Sequence, residues 1–302
     1  MFKSKNSMSR ALVRRETTAG YLFLLPSLFF FVTFVLYPMF LCIYTSFFDS
    51  NMGKNAVDVF VGLGNYKELF QDKLFLGALK NTVVIVVVAV PTVCAFSLWV
   101  ATAIYDMKPA LTSAFRCIFY LPVVTGSVAV TVVWKWMYNS RYGVFNYLFK
   151  SLGIIDQNIN WLGDARFALW CIILILFTTS VGQPIVLYVS ALGNVDHSLV
   201  EAAQVDGANR RQVFWKIKWA QIMPTTLYIL IITTINSFQC FALIQLLTSG
   251  GPTHSTDTIM YYIYYTAFKL YRYGYGNAMG VVLMIIIAVL SAVLFNLGQQ
   301  SD

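Results

Sequence analysis

The chain has 302 residues, of which 58% are hydrophobic and 11% charged, and a formal net charge of +8. Soluble domains carry about 25% charged residues, so the deficit excludes an ordinary soluble enzyme and places the chain in a lipid bilayer. The positive excess is spread over a basic N-terminal arm and loops, which argues against a nucleic-acid partner. Runs free of charged residues and histidine cover 17–48, 81–105, 117–134, 167–195, 219–253 and 273–301. A helix needs roughly 20 apolar residues to cross ~30 Å of hydrocarbon. The alternation of a membrane barrel is absent, and a spanning backbone must satisfy its own hydrogen bonds. The expected fold class is therefore an all-α integral membrane protein with six transmembrane helices, at about 20–47, 78–104, 114–137, 167–192, 224–247 and 276–297.

Residues 1–19 form a basic arm with Lys3, Lys5, Arg10, Arg14 and Arg15. The apolar run behind it is longer than the roughly 7–15 residues of a signal-peptide core, and no small-residue cleavage site follows. It reads as a retained first span with its arm in the cytoplasm. Six spans then return the C-terminus to the same side.

Cys42, Cys94, Cys117, Cys171 and Cys240 each stand alone within a span, and His197 and His254 fall in loops on opposite sides. No metal site or disulfide framework is expected. No G-x-x-x-x-G-K-[ST] phosphate loop and no G-x-S-x-G elbow is present. Neither catalysis nor a cofactor is expected; if the chain does energy-driven work, the energy enters through another subunit.

One polar island interrupts the apolar chain, "LVEAAQVDGANRRQVFWKIKWAQIMP" over 199–224. It falls in the loop between the fourth and fifth spans. Asp196 is placed to cap a short helix through Val205. Asp206-Gly207 is a turn dipeptide that ends it. Asn209 and Gln212 have capping-box spacing and open a second helix, whose Val213, Phe214 and Ile217 share one face. Two helices joined by a glycine turn make a bent knob that fits a partner's groove. A basic loop lying on lipid headgroups is the plainer alternative.

The residues themselves resemble the EAA motif of ABC importer permeases: Glu201, Ala202, Ala203, Asp206, Gly207 and Ala208, then Phe214, Ile217 and Pro224. The resemblance extends to "VGLGNYKELF" (61–70), "LKNTV" (79–83), "FRCIFYLP" (115–122), "GVFNYLF" (143–149) and "LLTSGGPTHSTDTIMYYIYYTAF" (246–268), which are similar to segments of the carbohydrate-uptake branch. Ala220 stands where the family usually has proline, which predicts that the second loop helix runs on towards Pro224. Asp196 also replaces a proline of the family pattern. The resemblance implies a non-catalytic permease subunit of an ATP-driven importer in a bacterial or archaeal cytoplasmic membrane. It implies a second homologous permease, two ATPase subunits that receive the 196–222 loop as a coupling helix, and an extracytoplasmic solute-binding protein. The implied ligand is a sugar or oligosaccharide.

A sugar needs hydrogen bonds for its hydroxyls and an apolar surface for its ring. The fifth span has the densest polar set, with Thr233, Asn236, Ser237 and Gln239, and Asn236 and Gln239 stand at i,i+3. Gln183 adds to it from the fourth. Glue between packed helices is the alternative use of such side chains. The outer-loop tyrosines Tyr261, Tyr262, Tyr264, Tyr265, Tyr271, Tyr273 and Tyr275 suggest an interfacial belt. An ion-coupled transporter would want intramembrane carboxylates, and the runs contain none. A glycerol phosphate or another neutral polar solute remains the alternative ligand within the same family.

Overall fold

The computed structural model describes residues 3–50 and 58–299, with side chains described over 16–50 and 58–298. The side chains of Lys3, Lys5, Arg10, Arg14 and Arg15 in the basic arm lie outside the described residues. Helix α1 (Lys3–Phe31) passes through a π-helical turn, Val32–Leu36, into α2 (Tyr37–Thr45). A short antiparallel ribbon pairs β1 (Phe48–Asp49) with β2 (Val59–Phe60). Then come α3 (Gly64–Leu69), α4 (Lys73–Ile104), α5 (Pro109–Val124), α6 (Ser127–Met137), α7 (Val144–Ser151), α8 (Ala168–Ser180), α9 (Gly182–Gly193) and α10 (His197–Val205). The chain continues through α11 (Arg210–Val213), a π-helical turn Phe214–Lys218, α12 (Trp219–Phe238), α13 (Ala242–Leu247) and α14 (Ile259–Tyr264). A further π-helical turn, Tyr265–Lys269, precedes α15 (Tyr273–Gln299).

Among the described residues, five helical segments are long and apolar enough to cross a membrane: Glu16–Thr45, Lys73–Ile104, Ala168–Gly193, Arg210–Leu247 and Tyr273–Gly298. The expected third span, 114–137, is not one helix: α5 and α6 meet at 95°. Helix α5 continues past Pro122 to Val124, and the break follows it. Thr125 and Gly126 then take extended backbone, with ψ of 125° and 143°. The fifth crossing also starts earlier than expected. The second loop helix runs into it without a stop, through the π-helical turn and past Pro224.

Helix α4 is the centre of the bundle. Its buried residues Thr82, Ile85, Ala89, Val93, Ser97, Val100 and Ile104 recur every three or four positions, the spacing of one helical face. That face packs with Ile185, Tyr188, Leu192, Ile222 and Ile229 of α9 and α12. Its N-terminus is closed by Asp72, whose carboxylate accepts from Leu74 N at 2.8 Å and Phe75 N at 3.4 Å. Much of the first span stays exposed within this chain, Phe23 at 85% among it. It is tied in through α2, where Asn277 Nδ2 of α15 donates to Thr45 Oγ1 at 2.7 Å.

The tyrosines divide. Tyr261, Tyr262 and Tyr275 are buried and do not form an outward belt. Their hydroxyls have protein partners: Tyr262 and Tyr275 donate to Asp72 Oδ2 at 2.7 and 2.8 Å, and Tyr261 donates to Ser249 O at 2.8 Å. A phenol in a packed bundle needs such a partner. Tyr271 is exposed.

Candidate functional site

The polar loop folds as its local signals direct. Asp196 Oδ1 accepts from Ser198 N at 2.9 Å and starts α10. At its end Gly207 N donates to Gln204 O and Ala208 N to Ala203 O, at 3.1 and 2.9 Å. These two bonds form a Schellman closure, which needs a left-handed residue between them. Gly207 supplies it with φ +81°, and a Cβ there would meet nothing within 4 Å. Its requirement is therefore backbone conformation alone. Asn209 and Gln212 then form the reciprocal capping box, with Gln212 N donating to Asn209 Oδ1 at 2.9 Å and Asn209 N to Gln212 Oε1 at 2.8 Å.

Glu201, Ala202, Asp206 and Gly207 are exposed on this knob, and Ala203, Ala208, Phe214 and Ile217 are half-buried. Val205, at the bend, is 88% exposed, and Leu199 and Trp215 are also open. The sequence reading did not single out these three apolar residues. The base of the knob is fixed to the bundle. Val195 and Val213 are buried, Asp196 N donates to Gln221 Oε1 at 3.0 Å, and Lys218 Nζ lies 4.3 Å from the ring centroid of Tyr105 at the end of α4.

A second feature lies in mid-span. A cavity of ≈ 170 Å³ is lined by Val123, Thr179, Ser180, Gln183, Pro184, Leu187, Tyr228, Ile229, Ile232, Thr233 and Asn236. It sits where two helices are interrupted. Val123 precedes the α5–α6 bend, and Ser180 and Gln183 flank the α8–α9 joint. Irregular backbone at membrane depth is tolerated where it lines a cavity. Pro184 contributes no N–H, so it cannot donate to the carbonyl of Ser180. The joint is held from both sides. Ser97 Oγ donates to Val181 O at 3.2 Å, and Gly182 packs so closely that an added Cβ would lie 2.3 Å from Phe119 O.

Gln183, Thr233 and Asn236 thus line one cavity with neutral polar groups, and no lining residue is charged. Ser237 is 2% exposed and turned into the bundle. Gln239 is the C-terminal cap of α12, is exposed, and is absent from the lining. Its N–H still donates to Ile235 O at 3.2 Å, so the i,i+3 spacing from the equally exposed Asn236 is kept, while Asn236 borders the cavity and Gln239 does not. Tyr228 and Ser180 were not anticipated as lining residues. Pro184 was the available signal for a broken fourth span.

Residues 20–301 match the family described as the inner membrane component of binding-protein-dependent transport systems. The chain belongs to this family. The permease is 33% identical over 288 residues to a probable ABC transporter permease protein, YesP, of Bacillus subtilis, covering 94% of this chain and 91% of that one. It is 32% identical over 293 residues to the lactose transport system permease protein LacF of Rhizobium radiobacter, covering 96% and 97%. It superposes with a TM-score of 0.82 on a chain of a bacterial alginate ABC transporter crystallised with an alginate pentasaccharide-bound periplasmic protein. That pair is 23% identical and covers 95% of this permease and 96% of the other chain, a likeness of fold.

Proposed function

We propose that this permease forms half of the translocation pathway of an ATP-driven importer for a sugar or oligosaccharide. Its polar loop, 196–222, couples the pathway to a separate ATPase subunit. The observation that carries the ligand class is the mid-span cavity. Gln183, Asn236, Thr233 and Thr179 offer donors and acceptors there, Tyr228 and Leu187 offer apolar surface, and charge is absent. A phosphate ligand would favour Arg or Lys at that depth, and a polyamine would favour carboxylates. A neutral, hydroxyl-rich solute fits the lining, and the lactose relative supports that reading. A second homologous permease completes the pathway, an extracytoplasmic binding protein delivers the solute, and both termini of this chain face the cytoplasm.

The knob supports the coupling role. It is a rigid bend with exposed Glu201, Asp206 and Val205, and its base is fixed to α4 and α12. An ATPase shifts a permease between states only through contacts that differ between those states, and the knob is placed to make them. The test is transport by Gln183→Ala and Asn236→Ala, with Ser291→Ala of α15 as control. Both side chains are exposed within this chain, so losing one hydrogen bond to the solute costs about 0.5–1.5 kcal/mol, and half-maximal uptake should need about 2- to 13-fold more solute. Basal ATP hydrolysis should persist. Wild-type uptake of every tested sugar by both folded variants would overturn the pathway assignment.

A further inference from the structure

A second groove, of ≈ 180 Å³, lies between α7 and the start of α8. Its wall is built from Phe145, Phe149, Trp161 and Phe167, and its mouth from Trp170 and Leu174. The rings lock together: Phe149 and Trp161 have centroids 5.5 Å apart, and Trp161 and Phe167 are 5.6 Å apart. Aromatic walls often suggest a sugar site, but this one has spent its inner polar groups. Tyr138 Oη donates to Cys171 O at 3.2 Å. Trp161 Nε1 donates to Asn146 Oδ1 at 3.0 Å. The side chain of Asn146 is itself saturated by the loop, since Nδ2 donates to Ile159 O at 2.9 Å and Oδ1 also accepts from Ile159 N at 3.1 Å. The ligand of such a wall has to be apolar.

The mouth identifies which apolar ligand. Trp170 and Leu174 are 54% and 41% exposed, and both lie on the membrane-crossing segment Ala168–Gly193. The mouth of the groove therefore lies at the end of this span opposite the polar loop. Lys150 follows Phe149 in the last turn of α7 and is exposed, and Arg166 Cζ stands 5.4 Å from the ring centroid of Phe167.

We infer that this groove holds one acyl chain of a phospholipid, with the headgroup phosphate towards Lys150. Lipid tails and the groove wall are equally apolar, so the hydrophobic effect does not retain the chain. Filling a rigid void recovers dispersion contacts that a disordered tail cannot make, and the Lys150–phosphate attraction adds to that. The bound tail braces α7, and with it the loop between the two spans.

The test uses the full chain, alone and in the assembled transporter, in vesicles of phosphatidylcholine. A phosphatidylglycerol with a diazirine on its acyl chain is added at rising mole fraction. Photolabelled residues are located by mass spectrometry. Labelling of Phe149, Trp161 and Leu174 should saturate. At low mole fraction it should exceed that of the exposed α6 residues Val132 and Val133 by about fivefold, the scale of a modest packing and charge preference. Lys150→Glu should lower groove labelling several-fold and leave Val132 and Val133 unchanged. Labelling that rises linearly and equals that of Val132 would mean boundary lipid only. Labelling lost in the assembled transporter would mean that a subunit covers the groove. Either result overturns the inference.

Discussion

Lys218 Nζ stands 4.3 Å above the ring centroid of Tyr105. This contact joins the base of the polar loop to the end of α4, the helix on which the bundle is assembled. In the proposed coupling role, a force on the knob would reach α4 through this contact as well as along α12. A cation over an aromatic face is worth about 0.5–2 kcal/mol, depending on desolvation. Tyr105→Leu removes the face, whereas Tyr105→Phe keeps it. The expected outcome is that Tyr105→Leu lowers solute-stimulated ATP hydrolysis more than basal hydrolysis, and that Tyr105→Phe restores the ratio. Equal ratios in the two variants would reduce the contact to packing.

Gly207 is needed for its φ of +81° and for nothing else nearby. A β-branched residue there costs about 1–2 kcal/mol in left-handed backbone. Gly207→Val should leave membrane insertion and expression unchanged while lowering transport and stimulated ATP hydrolysis together. Wild-type rates would show that the Schellman closure is not required for coupling.

Gly182 lies against the backbone of α5, and a Cβ there would stand 2.3 Å from Phe119 O. Backbone cannot step aside as a flexible side chain does, so Gly182→Ala has to push α9 away from α5. Overpacking of this kind typically costs about 1–3 kcal/mol. The melting temperature in detergent should fall, and uptake should fall further because the displaced joint borders the cavity. A variant as stable and active as wild type would place the joint away from the pathway.

Asp72 gives a pH dependence with a defined sign. Burial pushes its carboxyl pKa up, but hydrogen bonds from Tyr262, Tyr275, Leu74 and Phe75 outweigh burial and hold it below its ordinary value. A carboxyl with a lowered folded pKa contributes stability above its unfolded pKa of about 4, and that stability is lost as pH falls through the folded value. Proteolysis around α14 should therefore stay slow from neutral pH to about 4 and quicken below it. Asp72→Asn should be cut faster already at neutral pH, with the acid step removed. An acid step of unchanged size in Asp72→Asn would assign it to another group.

The polar loop was legible almost residue by residue because its signals are local. The Asp196 cap, the Gly207 turn and the Asn209–Gln212 box each depend on neighbours within a few positions. The spans were legible from charge-free length. Their interruptions were not, since Pro122 and Pro224 both lie inside continuous helix and the third span bends instead at Thr125 and Gly126. Asn236 and Gln239 were paired by helical spacing, and of the two Asn236 borders the cavity. The cavity itself is a tertiary product of α5, α8, α9 and α12, and its Gln183 and Asn236 are distant in sequence. Burial of Tyr262 and Tyr275 around Asp72 was hidden for the same reason.

The central claim is that solute movement through this permease is driven by a separate ATPase acting on the polar loop. Proteoliposomes carrying this chain, its partner permease and the binding protein should be compared with and without the ATPase, using radiolabelled neutral di- and oligosaccharides as probes and ATP on the side of the polar loop. The account predicts concentrative uptake of at least one probe with the ATPase present, and none without it or with Gly207→Val. Concentrative uptake without the ATPase would contradict it.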